Sequence, residues 1–547
     1  MTGLTLSIPT KKPSAWITET DPKSARAWLD TLPIADSATA ARELYQAIYA
    51  LNRQELTPEQ RFEIMELYVA PVATVVGGLQ GRLSNPALPM SNNRLQLAEA
   101  VRELYAEMAN GYKCCVHDLA NRRILWGRKL DYAPPIERAL YYLGGVLLRS
   151  YLAYLPPPPG VWREMHSLYR LAEDLGQLDA PVPDAVAEEN ITVRRSYLRA
   201  LLMAIANPYQ FPAPDQLLAY RFLGKWASSA TIASAAKAIA AQTQYLVDLD
   251  LDAAPVPGKE APAPSSASAS RVLDTAKLIQ ALQGFIERIR GGETVPADEL
   301  GIDCLGALSA RLLRRLGRSW AHMAQRQHSR IRRHGTVSLC RGIGALHFFL
   351  SGQTSAAASF LPPVAENDGP DIITPDASDS EVASDRPSPY RIDRWRVRDI
   401  SPKGLNLSYV GDATAYVRVG DVVGIQRPGQ LGNWSVGVVR WLRSRGAQAL
   451  EMGVELMAPT VRPVEIGRVR SAEGEQRTPG LLLAAVPAAR QPQTLIVPRG
   501  WAEASSGLEI TESDASTREV RVLRLLERGG AFEQVVFADV APERAAG

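Results

Sequence analysis

The chain changes its periodicity once, and that change decides what it can fold into. Up to about residue 325 its apolar residues recur at helical spacing. From Trp395 onward they come in short strand-like runs split by Gly, Pro and Asp turns. Between the two regimes lies a stretch that starts small and polar and then turns acidic, with Glu366, Asp368, Asp371, Asp376, Asp379, Glu381 and Asp385 ahead of a single Arg386. Such a stretch lacks the apolar bulk to offset the entropy of ordering it, so residues 352–390 are expected to be an acidic disordered linker. The expected fold class is multidomain α + β. A length of 547 residues supports this, since roughly 150 residues per domain gives three or four domains.

Residues 15–250 are expected to form an all-α helical array. Thr57-Pro58-Glu59-Gln60 is a helix start, because threonine caps, proline suits the first turn and acids follow. Another long helix is expected from Asn92 to about Asp118, and Pro134-Pro135 opens one that Pro156 to Pro159 stop. The run Trp162…Leu168-Tyr169…Ala172-Glu173…Gly176 is similar to the first helix of a tetratricopeptide-type repeat. No clean period of roughly 34 residues accompanies it, so a plain helical domain and a solenoid surface for a protein partner fit equally well. Tyr245 to Asp250 reads as a short closing strand. The most apolar stretch, Ala139 to Leu155, contains Arg149 and falls short of the ~20 residues of a bilayer crossing. A buried helix and no membrane span are expected, as is a cytoplasmic location, with Cys114, Cys115, Cys304 and Cys340 reduced.

Residues 251–271 are Pro/Ala/Ser-rich and are expected to be a linker. Helix resumes over Val272–Arg290 and from Cys304 to about Gln325. Residues 272–351 are therefore expected to be a helical segment whose arginine-rich arm leads into a first barrel strand. The runs Trp395–Ile400, Leu405–Tyr409, Val422–Gln426, Trp434–Trp441 and Met452–Met457 suit a small β-barrel over 391–460, which removes the exposed edges of an open sheet. Further runs, from Gly480–Val486 to Ala531–Phe537, make 461–547 a C-terminal β extension that either elaborates the barrel or forms a second β-domain.

The chemistry concentrates in two places. From Cys304 to Ala365 there are nine arginines and no carboxylate, including Arg326-Gln-His-Ser-Arg330. At a turn between two strand-like runs stands Asp399-Ile-Ser-Pro-Lys-Gly404. An arginine fork grips a phosphate or a guanine edge bidentately and stacks on a base, while a carboxylate accepts from guanine N1–H and N2–H. An Arg-x-x-x-Arg arm followed by Asp-x-Ser-x-x-Gly resembles the PilZ family of cyclic di-GMP receptors. The strands behind the motif match in order: Gly404-Leu-Asn-Leu, Val417 to Ile425, Val436 to Trp441 and Gly453-Val-Glu-Leu456, with Leu456 in the family's aromatic position. The resemblance covers residues 390–460 and 326–350 and says nothing about 1–320.

The resemblance implies a six-stranded barrel that binds cyclic di-GMP, commonly as an intercalated dimer, and signals to an attached domain or partner. By position, Arg326 and Arg330 are the arm arginines, and Asp399, Ser401 and Gly404 the barrel motif, with Gly404 allowing a tight turn beside the ligand. Two features depart from the family. The halves lie 69 residues apart, and Arg330 is followed by Ile-Arg-Arg-His-Gly before the strand-like Thr336–Cys340, which leaves Arg332 and Arg333 as alternatives to Arg330. The competing reading is a ligand-free PilZ-like scaffold that binds proteins. A net charge of +3 provides no general polyanion field, and with Trp320 and Phe348-Phe349 the only bulky aromatics near the arginines, nucleic acid is not expected as a partner. No nucleophile elbow, phosphate-binding loop or metal-ligand spacing occurs, so no enzyme, catalytic residue, metal or cofactor other than the ligand is expected.

Overall fold

The computed structural model describes residues 4–540 apart from 5, 13, 123–129, 184–189, 235–240, 303–305, 322–329, 353–389, 411–415, 429–432, 446–448, 459, 469–475, 486–490 and 503–505. The acidic stretch expected as a linker thus lies outside the described residues. The chain divides into two compact units, Met1–Pro86 with Met90–Arg326, and Ala87–Pro89 with Gln327–Gly547.

The first unit carries helices α1 (Pro22–Leu29), α2 (Ser37–Leu51), α3 (Pro58–Leu83), α4 (Asn92–Ala120), α5 (Ala133–Leu152), α6 (Val161–Asp174), α7 (Val193–Ile205) and α8 (Ala213–Trp226). Thr57 starts α3 through a reciprocal capping box with Gln60. Helix α5 is buried on nearly every side because it is the centre of the unit, packed against α4, α6, α7 and α8, and its buried Glu137 and Arg138 pair with each other at 2.7 Å. That arrangement departs from a solenoid, in which each repeat touches only its neighbours. Among the described residues, α3 is the one helix long and apolar enough to cross a bilayer, and its Ile64, Met65, Tyr68, Val72 and Val75 are buried in this core.

The expected 251–271 linker is instead part of this unit. A four-stranded antiparallel sheet, in the order β3-β6-β4-β5, joins β3 (Thr231–Ser234), β4 (Gln244–Asp248), β5 (Val256–Pro257) and β6 (Ser270–Asp274), while β1 (Val182–Pro183) and β2 (Asn190–Ile191) form a separate pair. Composition misleads here because polar bonds, rather than apolar burial, pin the segment. Asp252 accepts from the backbone N–H groups of Gly160 (2.6 Å), Trp162 (3.1 Å) and Arg163 (3.1 Å), satisfying the orphan donors at the start of α6. The Ala253 carbonyl meets His166 Nε2 at 3.0 Å, and Ser265 N–H donates to Asp248 at 2.7 Å. Helices α9 (Ala276–Arg290), α10 (Ala297–Leu300) and α11 (Gly306–Trp320) follow. Trp320 is buried and its indole N–H donates to the Leu202 carbonyl of α7 at 3.0 Å, so residues 276–320 belong to the helical core.

The second unit holds two closed barrels. The first comprises β7 (Ile331–Arg332), β8 (Thr336–Arg341), β9 (Asp393–Ser401), β10 (Gly404–Val410), β11 (Val422–Gln426), β12 (Ser435–Ser444) and β13 (Ala449–Ala458). Its order is β8-β9-β10-β13-β12-β11 and back to β8, with β7 continuing the β8 edge along β9. Trp395, Val397, Leu405, Leu407, Met452 and Val454 alternate into its core. The second comprises β14 (Val461–Arg468), β15 (Arg477–Leu483), β16 (Thr494–Pro498), β17 (Gly507–Thr511), β18 (Thr517–Arg528) and β19 (Phe532–Asp539), closed in the order β14-β15-β16-β19-β18-β17. The C-terminal extension is therefore a second barrel. Helix α12 (Ile343–Ser351) shares one core with both, its Ile343 and Leu346 packing with Val422, Val436, Val461, Leu481 and Phe532.

Candidate functional site

Strand β9 carries the candidate site on its outer face. Along Asp393–Ser401, Trp395 and Val397 point inward while Arg394, Arg396 and Arg398 are exposed. Strict alternation would then turn Asp399 into the core. The register against β10 shifts between Asn406 and Leu407, so Arg398 is an extra residue and Asp399 comes out on the outer face opposite Asn406. A β-bulge therefore aims the carboxylate at solvent, and no strand pattern in the sequence reveals it.

Once outside, Asp399 is gripped from two sides. Arg330 Nη1 donates to Oδ1 at 2.9 Å, and Asn406 Nδ2 donates to Oδ2 at 2.9 Å. The first contact closes the 69-residue gap between the motif halves. The segment after Arg330 that departs from the family, Ile331-Arg332, is itself a strand, with Arg332 paired opposite Asp399 and Ile331 opposite Ile400. Arg332 and Arg333 are exposed, and the Arg333 N–H meets the Arg398 carbonyl at 3.5 Å. Arg326 lies outside the described residues. With side chains 42% and 20% exposed, the Arg330–Asp399 pair contributes only ~0.2–1 kcal/mol and opens at little cost.

Ser401 and Gly404 pair across the two-residue β9–β10 turn, and Ser401 Oγ donates to the Gly404 carbonyl at 3.3 Å. Glycine is required at 404 for a reason other than the expected tight turn. Its φ is not left-handed, but a Cβ there would stand 2.6 Å from the Val454 carbonyl oxygen of β13. The motif glycine is thus a packing residue that lets β10 lie close to β13.

The register shows residues that the motif did not. Asp399, Asn406, Gly453 and Trp441 stand side by side on β9, β10, β13 and β12, one row across the outer face. A Cβ on Gly453 would fall on the Trp441 indole, so that ring lies flat over the glycine next to Asn406. Asn406 had a signal, being the polar residue between the inward Leu405 and Leu407. Trp441 had none, since only strand register brings it to Asn406. The surface offers guanidinium forks, carboxylate and amide acceptors and a flat aromatic ring. Among the described residues no cluster of histidine, cysteine or carboxylate side chains fits a metal ion.

Comparison with known proteins covers most of the chain. Residues 23–237 match the family described as the N-terminal domain of the cyclic-di-GMP receptor FimW, residues 244–367 and 364–463 its middle PilZ domain, and residues 466–540 its C-terminal β-barrel domain. The cyclic-di-GMP receptor FimW of Pseudomonas aeruginosa is 27% identical to this chain, over 98% of the chain and 94% of the relative. No solved structure matches. Residues 244–463, in the middle of this chain, thus match the PilZ family.

Proposed function

We propose that this chain is a cyclic di-GMP receptor whose ligand sits on the outer face of the first barrel. The observation that carries the reading is the Arg330–Asp399 contact at 2.9 Å, which brings both halves of the PilZ motif to one point of the surface. Arg330, Arg332 and Arg333, with Arg326 ahead of them in sequence, supply forks for phosphates and guanine edges. Asp399 accepts from guanine donors, and Ser401 and Gly404 shape the turn beside them. The relative is named a receptor for the same messenger, which supports the assignment. A receptor needs no reacting groups, so we read the chain as a non-enzyme.

Ligand binding here is a change of partner. Arg330 leaves a partly buried carboxylate for a phosphate, and Asp399 exchanges a guanidinium for guanine N–H donors. Because the arm arginines lie on the chain between the helical unit and the barrel, ordering them is the proposed route by which the messenger reaches the helical unit and its protein partner. A ligand shifts such an equilibrium only by its differential affinity for the two states. The test is calorimetry on the full chain. Cyclic di-GMP should bind at micromolar concentration or tighter, and Arg330→Ala should abolish most of the heat; a silent titration of the unaltered chain refutes the assignment.

A further inference from the structure

We propose that Asn406 reads the 2-amino group of guanine and so sets the base specificity of the site; this rests on the cyclic di-GMP reading above. Asn406 stands directly opposite Asp399 in the β9–β10 register. Its Nδ2 donates to Asp399 Oδ2 at 2.9 Å, and only the NH2 side of an amide can donate to a carboxylate, which fixes the orientation of the side chain. The carbonyl Oδ1 therefore faces away from Asp399. Among the described residues it has no hydrogen-bond partner, and it is covered, so a ligand reaches it by displacing what lies over it. Buried acceptors are normally paired, so an orphan inside a binding row calls for a donor from outside the chain.

Guanine supplies that donor. Its Watson–Crick edge presents N1–H and an exocyclic N2 with two hydrogens, three donors in all. Asp399 Oδ1, once Arg330 has left it, takes one or two of them, and Asn406 Oδ1 takes a remaining N2–H. The Asp399–Asn406 contact does not have to break, because the amide donates through nitrogen and accepts through oxygen. Adenine presents an acceptor at N1, which neither Asp399 nor Asn406 Oδ1 can satisfy. Hypoxanthine keeps N1–H and lacks only the amine, so it isolates the Asn406 contact. Sites built to bond a polar group reject the analogue that lacks it.

The test compares cyclic di-GMP with its inosine analogue, cyclic di-IMP, by calorimetry on the full chain, the Asn406→Leu chain and the smaller, still polar Asn406→Ser chain, with melting temperatures recorded for each. The unaltered chain should prefer cyclic di-GMP by about tenfold or more, and Asn406→Leu should bring the two affinities within about twofold of each other. If Asn406→Leu fails to fold, Asn406→Ser carries the same comparison and should narrow the preference. An unchanged preference in the folded variants overturns the role of Asn406 and leaves the receptor reading standing. Equal binding of both ligands by the unaltered chain does the same. Failure of the unaltered chain to bind either ligand removes the receptor reading and the inference with it.

Discussion

The two barrels of the second unit share an architecture and differ in what their outer faces do with charge. In the C-terminal barrel, carboxylates are held in pairs: Arg462 with Glu512 at 2.6 Å, Arg518 with Asp539 at 2.8 Å, and Arg477 between Glu465 and Glu509 at 3.8 and 3.6 Å. The first barrel pairs some of its charges too, as Arg440 with Glu455 at 2.6 Å and Arg391 with Asp393 at 3.2 Å, but Arg332, Arg333, Arg394 and Arg396 are exposed with no carboxylate partner among the described residues, near the acceptors Asp399 and Asn406. Unpaired cations alone do not mark a site. Arg521 and Arg524 of β18 are exposed too, but they face Gly507, Ala538 and Val536, where no acceptor stands. What distinguishes the first barrel is the convergence of forks and acceptors in one row, and the proposed site lies there.

The comparison is broken most severely at Asp399. Asp399→Ala should weaken cyclic di-GMP binding by about 100-fold, ~3 kcal/mol, since it removes a charged acceptor and leaves Arg330 without its partner. Glu512→Ala in the second barrel should leave the affinity unchanged. Calorimetry on both variants decides it, and an equal loss in the two would end the distinction between the barrels.

The second effect is on packing. Gly404→Ala drives a Cβ to 2.6 Å from a backbone oxygen that cannot rotate away, whereas Gly480→Ala in β15 meets the Ile466 side chain at 2.5 Å. We expect a loss of about 2–3 kcal/mol for the first and roughly 1 kcal/mol for the second, read as denaturation midpoints. The reverse order would mean that β10 and β13 separate easily.

A smaller effect comes from the helix shared by the barrels. Burial in α12 lowers the His347 pKa below 6.5, a shift that nearby Glu465 partly offsets. The folded state then binds fewer protons than the unfolded chain as pH falls below about 6.5, so this stability is present above that pH and is lost with acidification. His347→Phe should flatten the decline in melting temperature below pH 6.5. An identical pH profile in the variant would show that His347 does not couple the barrels to pH.

The smallest effect is at the rim. Arg394→Gln with Arg396→Gln should lower affinity only a few-fold, with most of the loss at low salt, because exposed charges steer more than they hold. A salt-independent loss would place these side chains on the ligand instead.

Much of this was legible in the sequence, and each gap has a physical cause. The runs at 395–400, 405–409 and 422–426 match β9, β10 and β11 because alternation and turn residues bounded them clearly. β14 was missed because Pro463 interrupts its alternation, yet Val464 and Ile466 point into the core. The Pro/Ala/Ser segment was misread because composition reports apolar burial and is silent about backbone donors such as those that seek Asp252. Arg330 and Asp399 were found as a pair of motifs. Asn406 showed only as a polar residue between two inward leucines and Trp441 not at all, since a bulge and a strand register decide which residues share a row.

The most direct test of the account is hydrogen exchange on the full chain with and without cyclic di-GMP. Protection should appear in residues 331–341 and 393–410, where the arm, the bulge and the motif turn meet, and the amides of 461–483 and 507–539 should exchange as before. Protection confined to the second barrel, or no change in 393–410 under saturating ligand, would contradict it.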